Sequence, residues 1–154
     1  MQIITAPEPL KIKSKSIFLA GSIEQDKAAR WQDEVIRELK EYNYTILNPR
    51  RKEWDSSWEQ RMDNPNFKEQ VNWELDALEK ADVILIYFDP KTKSPISLLE
   101  LGLFAKSRKL VVCCPEGFWR KGNVDIVCDR FGIEQVEDLE EAIDLIKKEN
   151  LKEK

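Results

Sequence analysis

The chain has 154 residues, of which 42% are hydrophobic and 35% charged, and its net charge is −4. This length and balance predict one soluble domain, residues 1–154, around a single core. The slightly acidic charge excludes a basic field for a nucleic acid polymer or an anionic membrane surface, and no apolar run approaches the ~20 residues of a membrane span. The first residues lack the apolar core of a signal peptide, so we expect a cytoplasmic protein.

Histidine and cysteine usage limits the chemistry. The chain contains no histidine, which excludes Ser-His-Asp and Cys-His catalysis and histidine-based zinc sites. The three cysteines, Cys113, Cys114 and Cys128, form no C-x-x-C motif, and we expect them to be buried, unreactive thiols. Acid–base or nucleophilic chemistry therefore falls to carboxylates, tyrosine, lysine or a thiolate without a histidine partner.

In chain order, short apolar runs alternate with helical patterns. Residues 16–23 predict a buried strand that ends in a Gly-Ser turn, and helical spacing follows over 24–42. A second strand, 44–49, precedes residues 50–68, which lack a clean period and predict a long loop or a loop with a short helix. The other predicted elements are a helix over 68–80, a strand over 81–90, a helix over 95–107, strands over 109–115 and 131–136, and a helix over 137–149. On the helix over 68–80 we expect Val71, Leu75 and Leu78 to face inward.

Five strands that alternate with helices predict an α/β fold, a flavodoxin-like doubly wound five-stranded parallel sheet with flanking helices. We expect residues 1–14 and the lysine-rich end to be loose extensions, so that the core covers about 16–148. Ligands of such sheets bind at the carboxyl ends of the strands. That rule nominates the segments that begin at Gly21, Asn48, Asp89 and Pro115.

The first two strand ends carry candidate binding residues. Gly21 permits close backbone approach, and the Ser22 hydroxyl suits either a cap on the following helix or an anion or sugar. Neither a P-loop nor a G-x-G-x-x-G motif is present. Arg50 and its neighbour Arg51 suit a phosphate or carboxylate, and Trp54 or Trp58 suits a planar base. A solvated basic loop packed by tryptophans explains the same residues.

Glu100 lies within a run of leucines. At helical spacing its neighbours are Ile96, Ser97, Leu103 and Phe104, so the carboxylate is not freely solvated. Two interpretations remain open: a helix-edge carboxylate paired with a cation, or a tuned acid, base or nucleophile.

Glu74 has a similar setting on the preceding helix, where it shares a stripe with Val71 and Leu78. Both helices flank the same predicted strand. Two carboxylates near one crevice suit the cleavage of an acetal-like bond through an oxocarbenium-like transition state. Asp89 suggests the phosphoacceptor of response-regulator receivers, but the acidic pair that those domains need after the first strand is absent.

Several motifs together resemble the nucleoside 2-deoxyribosyltransferase superfamily, in particular its transferase-like branch, which is related to deoxynucleoside 5′-monophosphate N-glycosidases. The motifs are "IFLAGSI", "LNPRR", "NWELDALEKADVILIYFD", "SLLELGLFA" and "CPEGFWRKGNVDIVC". The resemblance covers residues 16–148 and implies a flavodoxin-like fold and a covalent mechanism without metal or cofactor. It implies that Glu100 attacks C1′ of a 2′-deoxyribonucleoside and that a second base, or water, then accepts the sugar.

The resemblance also implies roles for other residues. Gly21, Ser22 and Ile23 would line the sugar or base pocket, and Glu74 would hold the nucleophile and assist proton movement. True transferases carry an acid six places before the nucleophile, where this chain has Ser94. Relatives that hydrolyse deoxynucleoside monophosphates have a serine there for the phosphate, so both reactions stay open. Asp89 is a further proton source.

The segment with Asn123 and Asp125 resembles the part that completes a neighbouring subunit's pocket, which implies a homodimer or larger homo-oligomer that binds a nucleoside or nucleotide. Gly122-Asn123 also suits an ordinary turn. Two other functions compete with glycosidic transfer: NAD cleavage, because Toll/interleukin-receptor-like domains also place a catalytic glutamate on such a sheet, and nucleotide binding without catalysis.

Overall fold

The computed structural model describes residues 1–23, 30–51 and 55–149, and the backbone alone for 150–152. Within these residues six parallel strands form one sheet in the order β1-β3-β2-β4-β5-β6. The strands are β1 (Gln2–Thr5), β2 (Ser16–Gly21), β3 (Thr45–Asn48), β4 (Val83–Tyr87), β5 (Leu110–Cys113) and β6 (Glu134–Val136). The helices are α1 (Trp31–Leu39), α2 (Pro65–Lys80), α3 (Pro95–Phe104), α4 (Lys121–Phe131) and α5 (Leu139–Lys152).

The order of β2 to β6 confirms the predicted flavodoxin-like α/β fold. These five strands lie in the order β3-β2-β4-β5-β6, so the chain reverses its direction across the sheet between β2 and β4. The carboxyl ends of β2 and β4 meet at that point, where Gly21 is paired with Tyr87. The predicted crevice therefore lies at the carboxyl ends of β2 and β4.

The sheet has one more strand than predicted, and the expectation of a loose N-terminus is wrong for residues 2–5. β1 pairs in parallel with β3 along its whole length, and the Ile4 side chain is buried. The following segment also packs: the Trp73 indole donates a hydrogen bond of 2.7 Å to the Glu8 carbonyl. Sequence reasoning missed β1 because an edge strand of four residues is too short to show a period.

The core has two layers, one on each face of the sheet. On one face α2, α3 and α4 contribute Trp73, Leu101 and Val124. On the other face α1 and α5 contribute Val35 and Ile143. Because both faces are covered, β2 and β4 are buried at successive residues rather than at alternate ones, as expected for a parallel sheet.

Helix α2 begins three residues earlier than predicted, and its inward face differs. The Asn64 side chain accepts a hydrogen bond from the Phe67 amide, and Pro65 occupies the first helical position, which is a strong start signal. Trp73 sets the phase of the helix by packing on the core. Leu78 is buried as predicted, but Leu75 is 37% exposed.

The C-terminal elements are shifted from their predicted bounds. Gly132 adopts φ +63° and caps α4, so the strand predicted from residue 131 begins only at Glu134. In the N-terminal half, residues 24–29 of the predicted helix 24–42 lie outside the described residues, and α1 begins at Trp31. None of the helices within the described residues is long and apolar enough to cross a membrane.

The three cysteines are buried and free, as predicted. Burial raises the pKa of Cys113 and Cys114 to about 12 and that of Cys128 to about 11. At neutral pH these thiols are protonated and therefore weakly nucleophilic.

Candidate active site

The turn after β2 requires glycine. Gly21 has φ +139°, and a Cβ atom there would lie 2.3 Å from the Tyr87 carbonyl oxygen and 3.0 Å from the Trp31 ring. The Ser22 amide donates to the same carbonyl at 3.0 Å, and its own carbonyl accepts from the Trp31 indole at 3.1 Å. Ile23, the last described residue of this segment, is half-buried. The turn is therefore fixed between β4 and α1.

A buried hydroxyl cluster joins this turn to the loop after β4. The Ser22 hydroxyl contacts the Ser94 hydroxyl and accepts hydrogen bonds from Thr92 Oγ1 at 2.8 Å and from the Asp89 amide at 2.9 Å. Thr92 Oγ1 also lies 2.8 Å from Ser94 Oγ. Ser22 is therefore not the cap of α1, whose N-cap residue is Arg30. Sequence reasoning missed Thr92, for which only its place at a strand end gave a signal.

Ser94 and Asp89, both predicted site residues, lie in the loop after β4. Ser94 precedes α3 with φ +47°, so its hydroxyl caps no amide of the helix and lies in the cluster instead. The Asp89 side chain is buried, and its Oδ1 accepts a hydrogen bond of 2.9 Å from the Lys91 amide. Both residues therefore border the turn that contains Ser22.

Helix α3 buries its carboxylate and exposes its aliphatic side chains. Glu100 is 7% exposed, whereas Ile96, Leu99 and Leu103 are each 58% exposed. This orientation is the reverse of an ordinary amphipathic helix. No residue in the described part of the chain donates a hydrogen bond to the Glu100 carboxyl group, so the predicted alternative of a cation partner does not hold there.

The charge of Glu74, on α2, acts on Glu100, on α3. Burial and then the charge of Glu74 raise the pKa of Glu100 to about 8. Burial raises the pKa of Glu74 to about 7, although a hydrogen bond of 2.7 Å from Gln70 Nε2 opposes the shift. The pair therefore retains about one proton near neutral pH, which suits acid–base or nucleophilic chemistry without histidine. Gln70 is a second residue that sequence reasoning missed.

The arginines after β3 are engaged in contacts. Arg50 Nη1 donates to Gln32 Oε1 at 3.1 Å. Arg51 forms a 2.8 Å ion pair with Glu69 and stacks 5.1 Å from the Trp58 ring centre. Both arginines are half-buried. The stacking of Arg51 on Trp58 agrees with a basic loop packed by tryptophans, and a phosphate or carboxylate partner for these arginines stays a prediction. Trp54 lies outside the described residues.

Asn123 and Asp125 lie on α4. Asn123 is exposed in the first turn of this helix, so the predicted Gly-Asn turn is wrong. Asp125 accepts from Lys121 at 3.2 Å and from Gln135. The structure thus brings together Gly21, Ser22, Asp89 and Ser94 through direct contacts, and Glu74 with Glu100 through electrostatics, but it gives Asp125 partners on α4 and β6.

A family model described as "nucleoside 2-deoxyribosyltransferase like" matches residues 14–118, more than half of the chain. The chain belongs to this family. The match spans β2 to the start of the loop after β5 and includes Gly21, Ser22, Glu74 and Glu100. It leaves out β1 and the α4 segment of this nucleoside 2-deoxyribosyltransferase-like protein. No match is found among curated proteins.

Proposed function

We propose that the protein cleaves the N-glycosidic bond of 2′-deoxyribonucleosides through a covalent intermediate on Glu100 and transfers the sugar to another base. The observation that carries this proposal is the Glu100 carboxyl group itself. It is buried at the carboxyl edge of the sheet, lacks a described hydrogen-bond donor, and lies beside a second carboxyl group on a family-matched segment. A developing sugar cation would bring to Glu100 the positive charge that no described residue supplies.

The reaction balances with the residues at hand. A carboxylate oxygen of Glu100 bonds to C1′, the C1′–N bond breaks, and its electron pair goes to the base, which takes a proton. Glu74 is the source or relay of that proton, and Asp89 is a second source close to Ser22. Attack on C1′ by a nitrogen of the acceptor base then breaks the ester and restores the Glu100 carboxylate, and the proton of that nitrogen passes to Glu74.

A chromatographic assay with a panel of deoxynucleosides, with and without a different free base, tests the proposal. We expect release of the original base and, in the presence of the acceptor, a new nucleoside. Release of nicotinamide from NAD instead, or tight binding of deoxynucleosides without turnover, would contradict the proposal and favour the NAD-cleaving or the binding function.

Ser94 favours a second candidate, the hydrolysis of deoxynucleoside 5′-monophosphates to base and deoxyribose 5-phosphate. A serine hydroxyl at the start of α3, beside the hydroxyls of Ser22 and Thr92, offers hydrogen bonds to a phosphate and no proton of carboxylic strength.

The Ser94→Ala variant separates the two reactions. If the monophosphate is the substrate, we expect kcat/KM for monophosphates to fall at least about tenfold, the loss of one or more hydrogen bonds to a charged group, while nucleosides are affected less. Ser97→Ala, at another buried serine of α3, is the matched control and should leave the ratio of the two activities unchanged. An equal loss of kcat/KM on nucleosides and monophosphates would mean that Ser94 stabilises the loop and does not bind the phosphate.

We also propose that two copies of the chain associate through α3 and α4. The exposed side chains of Ile96, Leu99 and Leu103 form a stripe on the helix that contains Glu100, and Ile126 is 70% exposed one turn after Asn123. Association through these two helices would place Asn123 of one copy near Glu100 of the other. The stripe on α3 and the Ile126 side chain are the apolar surface that this association would bury.

Leu99→Glu tests this association. A charge in the middle of the stripe is expected to halve the mass measured by light scattering and to lower base release at least about tenfold, because charges at interface cores cost several kcal/mol. Leu75→Glu, at a leucine of α2 that is 37% exposed, is the control and should remain associated. A wild-type protein that is monomeric at assay concentration would exclude the shared pocket.

A further inference from the structure

Gln70 occupies a buried position between β3 and the carboxyl pair. Its side chain is 4% exposed, and its Nε2 atom donates to the Pro49 carbonyl at 2.9 Å and to Glu74 Oε1 at 2.7 Å. Its Oε1 atom is buried and has no hydrogen-bond partner among the described residues. An unpaired buried polar atom lowers the free energy of unfolding, so other contacts of Gln70 must compensate for its unsatisfied Oε1.

The two contacts fix the orientation of the carboxamide. Both partners of Nε2 are oxygen acceptors, so a flipped amide would place Oε1 against the Pro49 carbonyl and the Glu74 carboxylate. Both N–H groups are therefore committed, one to the backbone after β3 and one to Glu74. The unsatisfied Oε1 is the consequence of keeping two donors in place.

The two carboxyl groups therefore differ in their hydrogen bonds. Glu74 receives a hydrogen bond from Gln70, whereas Glu100 receives none from the described residues. Among those residues the charge that acts on Glu100 is that of Glu74, and it adds to the effect of burial. For Glu74 the two causes are burial, which raises its pKa, and the Gln70 hydrogen bond, which lowers it. An N–H donor stabilises a carboxylate more than a neutral carboxyl group.

We propose that Gln70 is a positioning residue that keeps Glu74 the ionised member of the pair, so that in the empty site the shared proton rests on Glu100. In this state Glu100 is unreactive, because a protonated carboxyl group is a poor nucleophile. A bound sugar must displace that proton onto Glu74, from which it passes to the departing base. The transfer of this proton to the base rests on the proposed function, whereas its position on Glu100 in the substrate-free protein does not.

Titration of the substrate-free protein tests the proposal. Glutamates labelled with ¹³C at Cδ are followed by NMR, and the Glu74→Gln and Glu100→Gln variants assign the two signals. We expect Glu74 to titrate below Glu100 in the wild type. In Gln70→Leu, which removes the donor, we expect the Glu74 midpoint to rise by about one pH unit and the Glu100 midpoint to fall, so that the order reverses.

Controls keep this result separate from damage to the fold and from failure of the proposed function. Gln32→Leu alters another buried glutamine at this edge of the sheet, one that has no contact with Glu74, and should leave both midpoints in place. If Gln70→Leu does not fold, Gln70→Met offers the same test with a flexible side chain. A wild-type Glu74 that titrates above Glu100, or a Glu74 midpoint unchanged in the Gln70 variants, would overturn the proposal, whether or not the protein cleaves any nucleoside.

If base release is observed, its pH profile gives a second measurement. Because the reactive form has an ionised Glu100, loss of the Gln70 donor should move the rising limb of kcat/KM to lower pH by about one unit. A purely structural role would lower kcat/KM at all pH values without moving the limb.

Discussion

Glu100→Gln is expected to abolish base release, with kcat/KM reduced at least about a thousandfold, while the protein remains folded. A carboxamide of nearly equal size cannot ionise and is a poor nucleophile towards C1′. Chromatography of the released base measures the effect on deoxynucleosides and on their monophosphates. Glu79→Gln, at an exposed position of α2, makes the same change of side chain and should leave turnover intact. Turnover that survives in Glu100→Gln would remove Glu100 from the mechanism.

The same variant should show how the buried carboxyl group affects stability. The folded-state pKa of Glu100, about 8, lies above its unfolded value of about 4.5, so between these pH values the folded protein binds more protons than the unfolded one. The contribution of Glu100 to the free energy of unfolding therefore falls as pH rises through this window. Above pH 8 we expect Glu100→Gln to be more stable than the wild type by up to roughly 5 kcal/mol, as measured by urea unfolding. A pH dependence equal to that of the wild type would contradict this expectation.

Gly21→Ala is expected to lower the free energy of unfolding by about 3 kcal/mol or more, or to prevent folding. The added Cβ would lie 2.3 Å from the Tyr87 carbonyl oxygen and 2.8 Å from the Tyr87 nitrogen, and the residue would have to keep a φ of +139°. Both costs act on the central β2–β4 pair, which has no flexible side chain to move aside.

Gly122→Ala is the matched control for this substitution. Gly122 is in the first turn of α4, no atom lies within 4 Å of its added Cβ, and its φ is not in the left-handed region. Alanine is expected there to be neutral or to stabilise by up to about 1 kcal/mol. Equal behaviour of the two variants in chemical denaturation would mean that the β2–β4 contact tolerates a side chain.

Several parts of this molecule follow from sequence pattern. The continuous apolar runs predicted the central strands because a parallel sheet covered on both faces needs no polar alternation. Their order, and the Gly-Ser turn after the first, identified the edge at which Ser22 and Asp89 meet. The leucine-rich setting of Glu100 predicted that its carboxylate is not freely solvated, and it is 7% exposed.

The features that sequence pattern missed depend on contacts between distant segments. The apolar residues around Glu100 indicated a buried helix, yet Leu99 and Leu103 face outward, because periodicity does not reveal which side of an apolar helix meets the sheet. Thr92 meets Ser22 only when two loops 70 residues apart converge. Gln70 was invisible for a similar reason: its importance lies in a carbonyl 21 residues away and in an unsatisfied atom.

The buried cysteines give the molecule its own reporters of local opening. Cys113 packs in the core layer formed with α1 and α5, whereas Cys114 and Cys128, the latter on α4, pack in the layer formed with α2, α3 and α4. A thiol reagent reaches each group only when its layer separates from the sheet and the pKa returns towards the value of a free thiol. The rates at which the three thiols are modified therefore measure the opening of the two layers independently, without an introduced probe.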